Sequence, residues 1–172
     1  MNLQEEIQRE HSRKQSIHIA EWIGDRQEQF HQLMEFVVGE SEEEARRAAW
    51  AMNYAAEARP HLIEPHIESL IEILTRLECH PGLRRNTVRL LQFVPLPDDL
   101  LARIFDVCFL LLNDPNETVA VQACSMTVLS RICQKHPQLA GEVALAIEQQ
   151  MPHGTAAFRS RGQRTLRELD RL

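Results

Sequence analysis

The sequence is poor in glycine and aromatic residues and has no long hydrophobic run. Only six of its 172 residues are glycine, and aromatic residues make up 5% of the chain. The abundant residues are Leu, Ala, Glu, Arg and Gln, which favour helices over strands. The longest apolar run, Val107 to Leu112, covers six residues, whereas a membrane-spanning helix needs about 20. We therefore expect an all-α fold with no sheet and no membrane contact.

The N-terminal stretch "MNLQEEIQREHSRK" is polar and acidic, so it lacks the apolar centre of a secretory signal. The four cysteines form no CxxC pair, and most have apolar neighbours, so small buried thiols are favoured over a metal or redox site. Together these features predict a cytoplasmic protein.

Motifs that would indicate catalysis or metal binding are absent. The chain has no glycine-rich phosphate loop, no G-x-S-x-G, no HExxH and no EF-hand loop. The segment "HLIEPH" brings His61, Glu64 and His66 together in sequence, but Pro65 interrupts any helix there. Positions i and i+5 of a helix would in any case lie about 140° apart. We expect no catalytic residue, no cofactor and no metal site.

Charge is distributed unevenly along the chain. Residues 1–80 carry 8 Lys/Arg against 16 Asp/Glu, whereas residues 81–172 carry 11 against 9. A net charge of −6 makes the whole chain a poor general polyanion binder. The C-terminal stretch "FRSRGQRTLRELDRL" is locally basic, so phosphate binding by this local surface remains an alternative.

Helix signals recur at a nearly fixed period. Capping residues at Asn2, Ser41 and Thr155 open predicted helices, and Asp25 is expected to cap another. Four helix segments that follow polar joints begin with an apolar residue, and a small residue follows four positions later. Their first residues are separated by 38, 36 and 39 positions; they begin "ARRAAWAMNY" (45), "LRRNTVRLLQF" (83), "VAVQACSMTVL" (119) and "FRSRGQRTLREL" (158).

This pattern resembles the HEAT repeat, most closely where "LLNDPNE" leads into the helix that starts at Val119. The resemblance implies a right-handed α-α superhelix of about three to four repeats over residues 41–172, behind an N-terminal helical cap formed by residues 1–40. It also implies a ladder between repeats, made by an aspartate before the second helix and an arginine after its first apolar residue. The residues that fit these roles are Asp114 and the arginines Arg46, Arg84 and Arg159.

Two other helices carry specific expectations. The helix over residues 64–77 is expected to place Leu77 on its apolar stripe. The segment "DDLLARIFDVCFLLLND" is apolar nearly all round its second half, which predicts burial on every side between neighbouring repeats. Otherwise, part of it forms an oligomer or partner interface.

The candidate binding residues lie on one stripe of the helix that begins near Ser41. Arg47, Trp50 and Tyr54 follow at helical spacing, and Arg85, Arg89 and Gln92 extend the stripe in the next repeat. Aromatic residues flanked by arginines are typical of protein hot spots and of nucleic-acid contacts. The alternative is that Trp50 and Tyr54 pack against the N-terminal helices.

The favoured hypothesis is a non-catalytic scaffold that binds another protein through the inner face of the repeats. A nucleic-acid-binding module is the alternative, because Trp50 with Arg47, Arg85 and Arg89 is similar to the basic concave face of the HEAT-like alkylation-repair DNA glycosylases. No aspartate can be placed beside Trp50 in this chain. A homo-oligomeric structural subunit is a third possibility.

Overall fold

The computed structural model describes all residues from Met1 to Leu172 and contains ten α-helices and no strand, which confirms the all-α prediction. No helix combines the length and apolarity that crossing a membrane would require. Short 3-10 turns precede α5, α7 and α9. The helices are α1 (Leu3–Arg9), α2 (Arg13–Ile23), α3 (Gln27–Val38), α4 (Glu42–Ala58), α5 (Ile67–Thr75), α6 (Pro81–Leu90), α7 (Leu101–Asn113), α8 (Val119–Lys135), α9 (Ala140–Gln150) and α10 (Ala156–Leu169).

The chain divides into two compact units, Met1–Leu96 and Pro97–Leu172. The first contains α1 to α6 and the second α7 to α10. The boundary expected near residue 40, between a helical cap and a repeat array, stays a prediction.

In the first unit, α4 is the central helix and packs against α1, α2, α3 and α6. Its buried positions are mostly alanine, and a small side chain lets neighbouring helix axes approach closely. Enlarging one of these fully buried alanines would overpack the core, at a cost of about 1–3 kcal/mol. The buried residues of α4 are Ala45, Ala48, Ala49, Ala51, Met52, Asn53, Ala55 and Ala56.

In the second unit, α8 is the central helix and packs against α7, α9 and α10. Gly162 lets α10 approach the C-terminal end of α9 closely, because a Cβ atom at this position would lie 2.8 Å from Sδ of Met151 and 3.0 Å from Cγ2 of Ile147. The small residue expected at this repeat position therefore has a steric reason.

The predicted helix starts are confirmed at three positions. Oδ1 of Asn2 accepts from the backbone N–H of Glu5 at 3.4 Å, while its Nδ2 donates to Oε1 of Glu5 at 2.9 Å. Ser41 accepts from the N–H of Glu44, and Thr155 caps α10 in the same way. These side chains satisfy N–H groups that have no partner within the helix.

Three expectations about individual residues are wrong. Asp25 does not cap α3, because the N-cap residue is Arg26, which makes no side-chain cap hydrogen bond. The Asp25 carboxylate instead accepts from His61 at 2.9 Å. Leu77 is 99% exposed because α5 ends at Thr75. The apolar helix α7 is not buried on every side, since Leu110 is 68% exposed.

Candidate functional site

The six predicted binding residues all lie in the first unit, on α4 and on α6 with the turn that follows it. We call their common surface the α4–α6 face. Arg47, Trp50 and Tyr54 occupy α4, and Arg85, Arg89 and Gln92 occupy α6 and its C-terminal turn. Because α4 packs directly on α6, the two groups belong to one helix pair.

Asn53 joins the two helices of this face. It is 1% exposed, and its Nδ2 donates to the carbonyls of Ala49 at 2.9 Å and of Asn86 at 3.0 Å. Its Oδ1 accepts from Nη1 of Arg89 at 2.8 Å. A buried amide that uses both its donor and its acceptor fixes the register of α4 on α6 and orients the arginine.

Arg89 has three partners on this face. Besides Asn53, its guanidinium forms an ion pair with Glu57 and lies over the ring of Phe93, 5.4 Å from the ring centroid. Phe93 is 55% exposed. An exposed ring held against an oriented guanidinium presents an apolar surface and hydrogen-bond donors at the same place.

Trp50 contacts a residue that the sequence did not single out. The ring of His11, in the link between α1 and α2, meets the Trp50 ring edge-on with centroids 5.1 Å apart. Desolvation lowers the pKa of His11, and the positive charges of Arg46, Arg47 and Arg85 lower it further. The carboxylate of Glu43 opposes this shift only in part, so the imidazole is mostly neutral at physiological pH.

Arg47 holds the N-terminal helix in place. Nη1 donates to the carbonyls of Ile7 at 3.3 Å and Gln8 at 2.7 Å, at the C-terminal end of α1, and Nη2 pairs with Glu43. Its side chain is 19% exposed. A cation at a helix C-terminus stabilises carbonyls that lack a helical partner. Arg47 thus stabilises the fold beside the face.

Trp50 and Tyr54 are neither core nor fully exposed. Both side chains are half-buried, whereas Arg85 is exposed. Trp50 combines the His11 contact with partial exposure, so it both packs against the N-terminal segment and reaches the surface. The freely accessible cation of the face is Arg85, one turn before Arg89 on α6.

The two ladder arginines of the first unit are Arg46 on α4 and Arg84 on α6. The side chain of Arg46 reaches this helix, since a Cβ atom on Gly82 would lie 3.3 Å from Cδ of Arg46. Nη2 of Arg84 donates to the carbonyl of Arg76 at 2.8 Å. Both contacts stabilise the joint between α5 and α6.

The two ladder residues of the second unit make local contacts. The Asp114 carboxylate accepts from the backbone N–H of Asn116 at 2.9 Å, and Nη1 of Arg159 donates to the carbonyl of Gly154 at 2.8 Å. The joint "NDPNE" is thus organised by an Asx-type turn. A ladder that runs between repeats stays a prediction.

An open pocket of about 440 Å³ with a mixed polar and apolar lining lies at the joint before α6 in the first unit. Cys79 and His80 line it, and Nδ1 of His80 accepts from the N–H of Gly82 at 2.9 Å. Burial raises the pKa of Cys79, although Arg84 and Arg76 oppose the shift. The thiol is therefore not an activated nucleophile. No three His, Cys, Asp or Glu side chains are arranged to hold a metal ion.

Consecutive helices that pack in pairs, joined by short polar segments at a period near 38 residues, define an α-helical repeat protein. A family model described as the HEAT repeat domain matches residues 3–169, nearly the whole chain. The chain belongs to this family. Neither curated proteins nor solved structures give a significant match.

Proposed function

We propose that the protein is a non-catalytic scaffold that binds another protein through the α4–α6 face. HEAT repeats commonly mediate protein interactions. The observation that carries the proposal is the arrangement around Arg89, where an oriented guanidinium lies over the exposed ring of Phe93. Arginine and aromatic side chains are enriched among the residues that dominate binding energy at protein interfaces.

The pre-existing order of this face favours specific binding. Because Asn53 and Glu57 already orient Arg89, little side-chain entropy remains to be lost when a partner binds. Arg85, exposed one turn away, supplies a second cation at the rim. Trp50 and Tyr54 add half-buried rings on the adjacent helix, so anchor residues are distributed over both helices.

Charge on the face supports a protein partner over a nucleic acid. Arg47 and Arg89 are each neutralised by a glutamate, Glu43 and Glu57 respectively. Phosphate binding requires cations that are free to replace counterions, and these two arginines are already paired with carboxylates. Retention on duplex DNA at low ionic strength, lost as salt is raised, would instead establish the nucleic-acid alternative.

Affinity capture with matched variants tests the proposal. We expect Trp50→Ala and Arg85→Ala to reduce capture of the principal partner protein from source cells by about fivefold or more, which corresponds to a loss of at least about 1 kcal/mol of binding free energy. Gln32→Ala, an exposed change on α3, is the control and should capture as the wild type does.

Circular dichroism separates a binding defect from a folding defect. The helical signal of Arg85→Ala should equal that of the wild type, because this side chain is exposed. Equal capture by the wild type and Arg85→Ala would contradict the proposal. A collapse of the helical signal in Trp50→Ala would show that Trp50 serves chiefly to pack the N-terminal segment.

A further inference from the structure

The second unit contains an apolar groove of about 480 Å³ that the α4–α6 face does not include. One side is the α7 stripe of Leu101, Phe105 and Phe109, and the rest of the apolar lining is Ala102, Ile132 and Leu139. The rings of Phe105 and Phe109 are stacked, with centroids 5.7 Å apart and planes 10° from parallel. The volume is within the range, about 300–1,000 Å³, of pockets that hold ligands.

Three carboxylates border this apolar lining. Asp98 lies at one end, where Nζ of Lys135 pairs with it at 2.7 Å. Asp106, on an exposed part of α7, and Glu142, at the start of α9, form no ion pair. The remaining titratable lining residue is His136. With Lys135 offsetting only Asp98, the border is negative around an apolar interior.

We propose that this groove binds a basic amphipathic segment of a partner protein. A large apolar side chain of that segment enters between Phe105 and Leu139, and arginine or lysine side chains pair with Asp106 and Glu142. The charge of the border selects this occupant, because an acidic segment would meet repulsion from the same two carboxylates. Docking of an amphipathic segment in a hydrophobic groove uses apolar contacts for affinity and charged contacts for orientation.

The proposal is independent of the α4–α6 face, since no residue of the first unit takes part. It also gives a reason for the unpaired acids. Asp106 and Glu142 are exposed, and a bound segment that covers them pays a desolvation cost unless its own cations pair with them, so an apolar or acidic segment would bind poorly there.

Selection of peptides on the full-length protein tests this inference. A phage-displayed library of random peptides is panned on the wild type, and the dominant peptide is synthesised with a fluorescein label for anisotropy titration. We expect the enriched peptides to carry arginine or lysine beside a large apolar residue. Raising the salt concentration should weaken binding, because the charged border is exposed to solvent.

Two exposed lining positions provide the variants. Asp106→Lys should weaken the labelled peptide about five- to thirtyfold, because an attraction of up to about 1 kcal/mol becomes a repulsion. Ala102→Trp should weaken it at least tenfold by filling the groove. The matched control is Glu148→Lys, which makes the same charge change on an exposed part of α9 outside the groove and should change affinity less than twofold.

The fold of the variants, the selected peptides and the measured affinities together decide whether the groove binds a basic segment. Circular dichroism should show wild-type helicity in all three variants, because each replaces an exposed residue. Failure to enrich any peptide, or enrichment of neutral or acidic peptides, would overturn the proposal. So would wild-type affinity in either Asp106→Lys or Ala102→Trp.

Discussion

Asn53→Ala is expected to destabilise the first unit by about 3 kcal/mol. The change removes two hydrogen bonds to backbone carbonyls, each worth about 0.5–1.5 kcal/mol, and one to Arg89, a charged donor, worth about 1.5–3 kcal/mol. Arg89 keeps its ion pair with Glu57 and is 39% exposed, so the last value is discounted toward its lower end. The estimate also includes a small cavity at a position only 1% exposed.

Tryptophan fluorescence during urea unfolding measures this effect selectively. The two tryptophans, Trp22 and Trp50, both lie within residues 1–96, so the signal reports the first unit. With a slope of about 1.5 kcal/mol per molar urea, a loss of about 3 kcal/mol lowers the midpoint by about 2 M. Gln32→Ala, at an exposed site, should stay within about 0.5 kcal/mol of the wild type. A midpoint for Asn53→Ala equal to that of Gln32→Ala would refute the role assigned to Asn53.

Three further outcomes are expected. Desolvation is the main cause of the lowered pKa values of His11 and His66, so their contribution to folding stability is fully present above about pH 6.5, the pKa of histidine in the unfolded chain, and is lost as pH falls through the lower pKa values of the folded state. His66→Gln should make the urea midpoint less dependent on pH, and an unchanged dependence would contradict this assignment. Burial raises the pKa of Cys108 and that of Cys133, the latter to about 11, so iodoacetamide should leave both thiols unmodified in the folded protein at pH 8, as mass spectrometry can show. Leu77→Ser should leave the unfolding free energy within about 0.5 kcal/mol of the wild type because Leu77 is 99% exposed. A larger loss would show that Leu77 packs with the apolar stripe of α5.

The fold was largely predictable because its determinants are local and repeated. The cap at Ser41 depends on a hydroxyl and an N–H three residues apart, and sequence spacing shows both. The small residue at position 162 follows from the repeat pattern, and Ile147 and Met151 supply its steric reason. The capping role predicted for Asp25 was wrong because a carboxylate beside a helix start can pair with a distant side chain, here His61, instead of with the backbone N–H groups.

The candidate site was predictable only in part, since its geometry depends on contacts between residues far apart in sequence. Helical spacing correctly placed Trp50 and Tyr54 on one helix with Arg47. It could not show that Arg47 reaches the carbonyls of α1, about 40 residues earlier, or that His11 contacts the Trp50 ring edge-on. Asn53 did leave a signal, because an asparagine inside an alanine-rich helix disfavours that helix unless its amide has a buried role.

Site-specific photocrosslinking tests the proposed binding face most directly. Benzoylphenylalanine is placed at Ala58, an exposed position of α4 one turn after Tyr54, in one variant and at Gln32 in another, so that every proposed binding residue is kept, and the cells are irradiated before lysis. We predict a discrete adduct with one protein from the Ala58 position and none from the Gln32 position. Absence of an adduct at Ala58, or the same adducts from both positions, would contradict binding through the α4–α6 face.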